Sequence, residues 1–148
     1  MTDRDAAARK AAPSDKLVDD RRCFACGSEN SDGLQLRFEY GDGTARAIFT
    51  PKQHFTGWTA MLHGGILATL LDEAMAHAAI AAGIRALTGR LEIRFRKQAP
   101  MDTVFVVEGR LEGRRGRLLT LSSTVAGEDG TLYAAANGRF VADDAPGR

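Results

Sequence analysis

An α+β domain is predicted, one long helix packed on an antiparallel sheet of five to six strands, because two hydrophobic periods follow one another along the chain. Segments that alternate apolar with polar residues, the signature of half-buried strands, lie on both sides of a single Ala- and Leu-rich run. The connections between the later segments are short and rich in glycine. With 148 residues the chain makes one compact domain and not comfortably two.

Residues 1–20 are charged and hold only Leu17 and Val18 as larger aliphatics besides the initiator. They read as a disordered or weakly helical tail, residues 21–142 as the single domain, and residues 143–148 as a second tail. Leu34 to Tyr40 alternates as a strand, Gly41-Asp42-Gly43 is a hairpin turn, and Thr44 to Thr50 alternates again. Pro51 to Leu62 is a loop carrying Phe55, Gly57 and Trp58. From His63 the period changes, and strong helix formers continue to Ala82, with Gly83 as the stop. Ile66, Leu67, Leu70, Leu71, Ala74, Met75 and Ala78 leave this helix almost no polar face in its first half, which predicts burial nearly all round. Four more strands follow, around Arg90–Arg96, Thr103–Leu111, Leu118–Ala126 and Leu132–Val141.

Composition excludes several classes of function. Hydrophobic residues at 44% and charged residues at 26% are ordinary globular usage, so whole-chain disorder is excluded. Twenty Lys and Arg against 19 Asp and Glu give a net charge of +1, no general basis for binding nucleic acid. The apolar run from Ile66 to Ile84 is broken by Asp72, Glu73 and His77, which argues against a membrane span. The N-terminus lacks the apolar core of a signal peptide, so the cytoplasm is the expected compartment.

Asp72 is the sharpest chemical feature. A carboxylate flanked by Leu70, Leu71, Ala74 and Met75 is expensive to bury without a partner or a purpose. It is read as an active-site carboxylate, the alternative being one capped by a neighbouring hydroxyl or Arg. Glu73, about 100° round the helix, is left to reach solvent. His63-Gly64-Gly65 opens the helix, where free amides and the positive end of the macrodipole attract anions. Aimed at a thioester or ester carbonyl, those amides form an oxyanion hole; otherwise the glycines merely permit a tight turn. The candidate roles of His63 are general base, hydrogen-bond orienter and loop clamp, and we favour the orienter. Asp72 lies about 10 Å along the axis from Gly65. A reacting carbonyl sits roughly 3 Å from its attacking group. A second, antiparallel copy of the helix resolves the mismatch, so a homodimer is expected.

At these residues the sequence resembles the hotdog-fold acyl-CoA thioesterases, in their PaaI-like branch. His63-Gly64-Gly65 followed by Leu70-Leu71-Asp72-Glu73-Ala74 is similar to that family's helix signature, and Cys23-Phe-Ala-Cys-Gly with Gly33-Leu34 to the opening of one subgroup. The likeness runs from Cys23 to about Val141. It implies a hotdog fold, pairing as a homodimer and often as a dimer of dimers (a homotetramer), and hydrolysis of an acyl-CoA substrate. Carried over, Asp72 is general base or nucleophile, and the Gly65 amide, with Gly64, holds the thioester oxygen. His63 orients the thioester or the catalytic groups, and Thr88 positions water or the carboxylate. One departure is Gly57, where some members carry an Asn six residues before the His.

CoA brings phosphates. The basic groups Arg94, Arg96 and Lys97, or the hairpin Arg114–Arg117, are candidate partners for them, against the plainer reading of a solvated strand face. Trp58 and Met61, with Phe55 and His54, precede the helix and are read as lining an acyl pocket. Cys23 and Cys26 supply only half of a four-ligand metal site, and zinc would need His54, His63 or His77 besides. The pair is assigned to a tight turn before the first strand, with no metal and no cofactor. A non-catalytic acyl-CoA-binding protein is the alternative function; a hotdog hydratase or dehydratase fits the His63–Asp72 spacing poorly.

Overall fold

The structure, a computed structural model, describes residues 17–143. Six strands form one antiparallel sheet: β1 (Glu39–Tyr40), β2 (Thr44–Phe49), β3 (Ala86–Phe95), β4 (Phe105–Arg115), β5 (Leu118–Gly127) and β6 (Leu132–Ala142). Their spatial order is β1-β2-β4-β5-β6-β3, so β1 and β3 are the two edges. One helix, α1 (Gly64–Ala81), lies against the sheet, which is the expected α+β hotdog architecture.

Leu67, Leu70, Leu71, Ala74, Met75, Ala78 and Ala79 are spaced three and four apart, so they form one continuous face, and all are buried. They meet the inward residues of the strands, among them Phe105, Val107, Leu119, Leu121, Val125 and Phe140, none of which is exposed. Helix and sheet touch backbone to backbone at Gly109, where a Cβ would stand 2.0 Å from the Ala74 carbonyl oxygen. The buried Ser123 hydroxyl, on β5, donates to the Leu71 carbonyl at 2.8 Å. Gly83 ends α1 in the left-handed region at φ +79°, and its N–H donates to the Ile80 carbonyl.

Two expectations change. α1 is not buried all round: Ile80 is exposed, while Ile66, Asp72, Glu73, Ala76 and His77 are only half-buried, because within one chain the sheet covers one side of the helix. The first strand shrinks to Glu39–Tyr40. Leu34 and Leu36 are buried as their alternation predicts, but their N–H groups donate to the Phe24 and Ala25 carbonyls. Gln35 between them takes a left-handed φ of 52°, which no strand permits. Of the expected N-terminal tail, residues 1–16 lie outside the described residues, as do 144–148. Leu17 is tied down, donating its N–H to Asp143 and accepting from the Arg85 guanidinium.

Candidate functional site

α1 begins at a clamped loop. The Leu62 N–H donates to the Ala99 carbonyl and the His63 N–H to the Phe55 carbonyl, which fixes where the helix starts. His63 is the N-cap, with its Nδ1 accepting from the Gly65 N–H at 2.8 Å, so the ring carries its proton on Nε2. The His63 carbonyl accepts from the Ile66 and Leu67 amides. Of the first four amides of the helix, that of Gly64 alone has no partner among the described residues. In this structure the Gly65 amide is capped by the His63 ring of its own chain, and the amide presented outward belongs to Gly64.

Beside the helix start lies a cleft of about 890 Å³. Trp58, Met61, His63, Gly64, Arg96 and Lys97 line it, together with Phe95, Gln98 and Gly57. Arg94 faces a neighbouring groove that shares Phe95, Arg96 and Lys97. Trp58 is 82% exposed, so its indole forms a rim and no part of the core. A Cβ at Gly57 would approach the His63 Cα to 3.0 Å, which leaves little room at this position for the Asn of other members. The hairpin alternative for phosphate is less open, since Arg117 spends its guanidinium on the Ala142 carbonyl.

Two turns along α1, Asp72 accepts a 2.6 Å hydrogen bond from the Thr88 hydroxyl on the edge strand β3. Burial pushes the Asp72 carboxyl above its ordinary range; the Thr88 bond pulls it partly back, and the Glu73 charge adds to the rise. The structure thus joins Asp72 to Thr88, and separately gathers His63 and Gly64 with the cleft residues. Neither Asp72, Thr88 nor Gly65 lines that cleft.

Glu73 turns away from bulk solvent, contrary to the sequence reading. Its side chain is only 15% exposed, and it meets His77 Nε2 at 3.0 Å and the Cys23 thiol at 3.7 Å. Burial by itself would raise the Glu73 carboxyl, but hydrogen bonds from His77, Cys26 and Cys23 outweigh it and hold the group below its ordinary value. Burial in turn pushes the Cys26 thiol up, and Glu73 adds to that. The signal in the sequence was the i,i+4 spacing of Glu73 and His77.

The sequence profile of the thioesterase superfamily matches residues 60–134. The chain belongs to that superfamily. The match runs from the loop before α1 into β6, and so contains His63, Gly64, Gly65, Asp72, Thr88, Met61 and the basic residues Arg94, Arg96 and Lys97, but not His54, Phe55 or Trp58. This chain is 31% identical over 134 residues to acyl-coenzyme A thioesterase THEM4 of Bos taurus, covering 85% of this chain and 55% of that one. The chain spans about half the length of the curated relatives it matches. The crystal structure of a thioesterase superfamily protein matches with a TM-score of 0.78 at 23% identity, over 93% of this chain and 72% of the other. The PaaI protein of the E. coli phenylacetic acid degradation operon matches with a TM-score of 0.69 at 17% identity, over 74% and 80%. These structures share the superfamily fold with this chain. No helix among the described residues is long and apolar enough to cross a membrane.

Proposed function

We propose that the protein hydrolyses acyl-CoA thioesters to a free acid and CoA. The observation that carries this reading is the half-buried Asp72, held by Thr88, on the central helix of a thioesterase-superfamily fold. Asp72 as carboxylate either removes a proton from the attacking water or attacks the thioester carbon itself. Charge developing on the carbonyl oxygen is received by the Gly64 amide and the positive end of α1, and by the Gly65 amide once the His63 ring turns aside. Thr88 positions the carboxylate, and His63 orients the thioester. Trp58 and Met61 border the acyl group, while Arg94, Arg96 and Lys97 meet the CoA phosphates. The reaction draws on water and needs no cofactor. The cytoplasm is the compartment we propose for it, a reading supported by its two cysteines being too few for a disulfide framework.

One chain cannot close this site, because Asp72 and Gly64 are about two helical turns apart on one axis. In a homodimer with antiparallel central helices, Asp72 of one copy faces the helix start of the other. The edge strand β3, which carries Thr88 and leaves Leu87 and Phe95 exposed, is the surface that pairs. A dimer of two such dimers is the further assembly that the PaaI-like resemblance implies.

Thiol release from short, aromatic and long acyl-CoAs, measured for the wild type beside Asp72→Ala, tests the reading. Release that falls by about 10²–10⁴-fold in the variant is the expected result. Activity unchanged by Asp72→Ala overturns the role of Asp72. Binding of acyl-CoA without release from any of them assigns the protein to the non-catalytic alternative.

A further inference from the structure

Cys23 and Cys26 close a tight loop that ends at Gly27, whose N–H donates to the Cys23 carbonyl at 2.8 Å. A Cβ at Gly27 would stand 2.5 Å from both the Cys23 nitrogen and its carbonyl oxygen, so the turn requires glycine directly after the second cysteine. Inside the loop the Ala25 N–H points at the Cys23 sulfur at 3.4 Å, a donor placed to support negative charge on that atom. Both cysteines are free thiols and half-buried. The loop packs on α1 where Glu73 projects, and the ligand atoms of Cys23, Cys26 and Glu73 all lie within 4.8 Å of one another. Tetrahedral zinc with its usual bonds to sulfur and carboxylate oxygen holds such atoms roughly 3.6–3.8 Å apart. Cys23 Sγ and Glu73 Oε1 are already 3.7 Å apart.

The surroundings match the second layer of a metal centre. His77, one turn along α1, bonds Glu73 Oε1 through Nε2 at 3.0 Å. Its Nδ1 bonds the Tyr40 hydroxyl at 2.8 Å, and Phe38 stacks on the ring with centroids 4.2 Å apart. The imidazole is therefore locked, and with it the carboxylate. A cavity of about 530 Å³, walled by Leu17, Asp19 and Arg85 among others, opens on the three ligand groups.

We propose that Cys23, Cys26 and Glu73 form a binding site for a thiophilic divalent cation of the zinc type, with His77 as the residue that positions Glu73. The fourth coordination position faces the cavity. Binding releases the two thiol protons and ties the N-terminal loop to the middle of α1. The site stands apart from the Asp72–Thr88 pair and does not depend on the thioesterase reading.

Cobalt titration of the full chain, stripped of metal under reducing conditions, tests this. The expected result is a thiolate-to-cobalt charge-transfer band that saturates at one ion per chain and is displaced by zinc. Glu73→Gln keeps both thiols and should retain a band while binding at least about 10-fold more weakly. His77→Gln should weaken binding by about 10–100-fold with the band unmoved, an effect that a merely structural histidine would not have. Cys26→Ser should abolish the band; if it fails to fold, the two helix variants still decide the matter. Two reduced thiols per chain that give no band overturn the proposal, as does a band of unchanged affinity in Glu73→Gln.

Discussion

Asp72 and Glu73 are chain neighbours whose carboxyls are pushed in opposite directions, because each points into a different environment. Asp72 has burial against it and a single hydroxyl in its favour, and its carboxyl is raised. Glu73 has donors on several sides and is lowered. Two consequences follow for Asp72. If its carboxylate is the working form, activity is lost as pH falls through its raised value, and Thr88→Val, which removes the bond that lowers it, should move that acid limb to higher pH. A pH profile of kcat/KM checks this; an unmoved limb means Thr88 does not act through Asp72. A raised folded value also means that the group favours the fold below its unfolded value of 3.8 and works against it as pH rises through the folded value. Asp72→Asn should therefore raise Tm at neutral pH, by no more than about 2–4 °C for a chain of this size. Thermal melts should show that gain vanish below pH 3.8.

α1 is positioned by contacts that lie far from the proposed chemistry. Gly109 lets the sheet approach the Ala74 carbonyl, and an added Cβ there would meet backbone and no flexible side chain. Gly109→Ala should destabilise the protein by about 1–3 kcal/mol and lower activity with it, since the helix carries Asp72. Denaturant unfolding measures the first and thiol release the second. Ser123→Ala removes only the hydroxyl bonded to the Leu71 carbonyl and should cost about 1 kcal/mol. Much of this element-level architecture was legible from periodicity: the helix start at His63, its stop at Gly83 and the spans of β5 and β6 stand where the alternation and the punctuation by glycine put them, whereas β3 begins earlier, at Ala86, and β4 runs on to Arg115. The first strand was not legible beyond its burial pattern. Leu34 and Leu36 face the core as a strand would place them, but their amides pair with the cysteine loop, and alternation reports which residues are buried, never which backbone they bond.

For the molecule as a whole, the site as we propose it is shared between two chains. Mixed dimers of Asp72→Ala with Gly64→Val should regain activity that neither variant has. With random pairing half the dimers are mixed and each holds one intact site, so up to roughly a quarter of wild-type rate is expected. Rates that merely average the two parents would mean that each chain works alone. Leu87→Lys, on the open edge of β3, should shift the protein to monomers in light scattering and abolish thiol release while circular dichroism stays unchanged.

The sequence by itself determined the α+β class, the span of the helix, the placement of Asp72 on it and the glycine opening, because all of these follow from local period, propensity and turn chemistry. It also marked Thr88 as a partner, through family likeness. Only the tertiary structure decided that Thr88 meets Asp72 across 16 positions, that His63 takes the Gly65 amide and leaves Gly64 outward, and that Glu73 turns inward to Cys23 across 50 positions. Such contacts depend on which elements the sheet order brings together, and no local pattern carries that information. The cysteine pair shows the difference most clearly. In the sequence it is half of a ligand set, and the fold brings a third ligand to it from the middle of the helix.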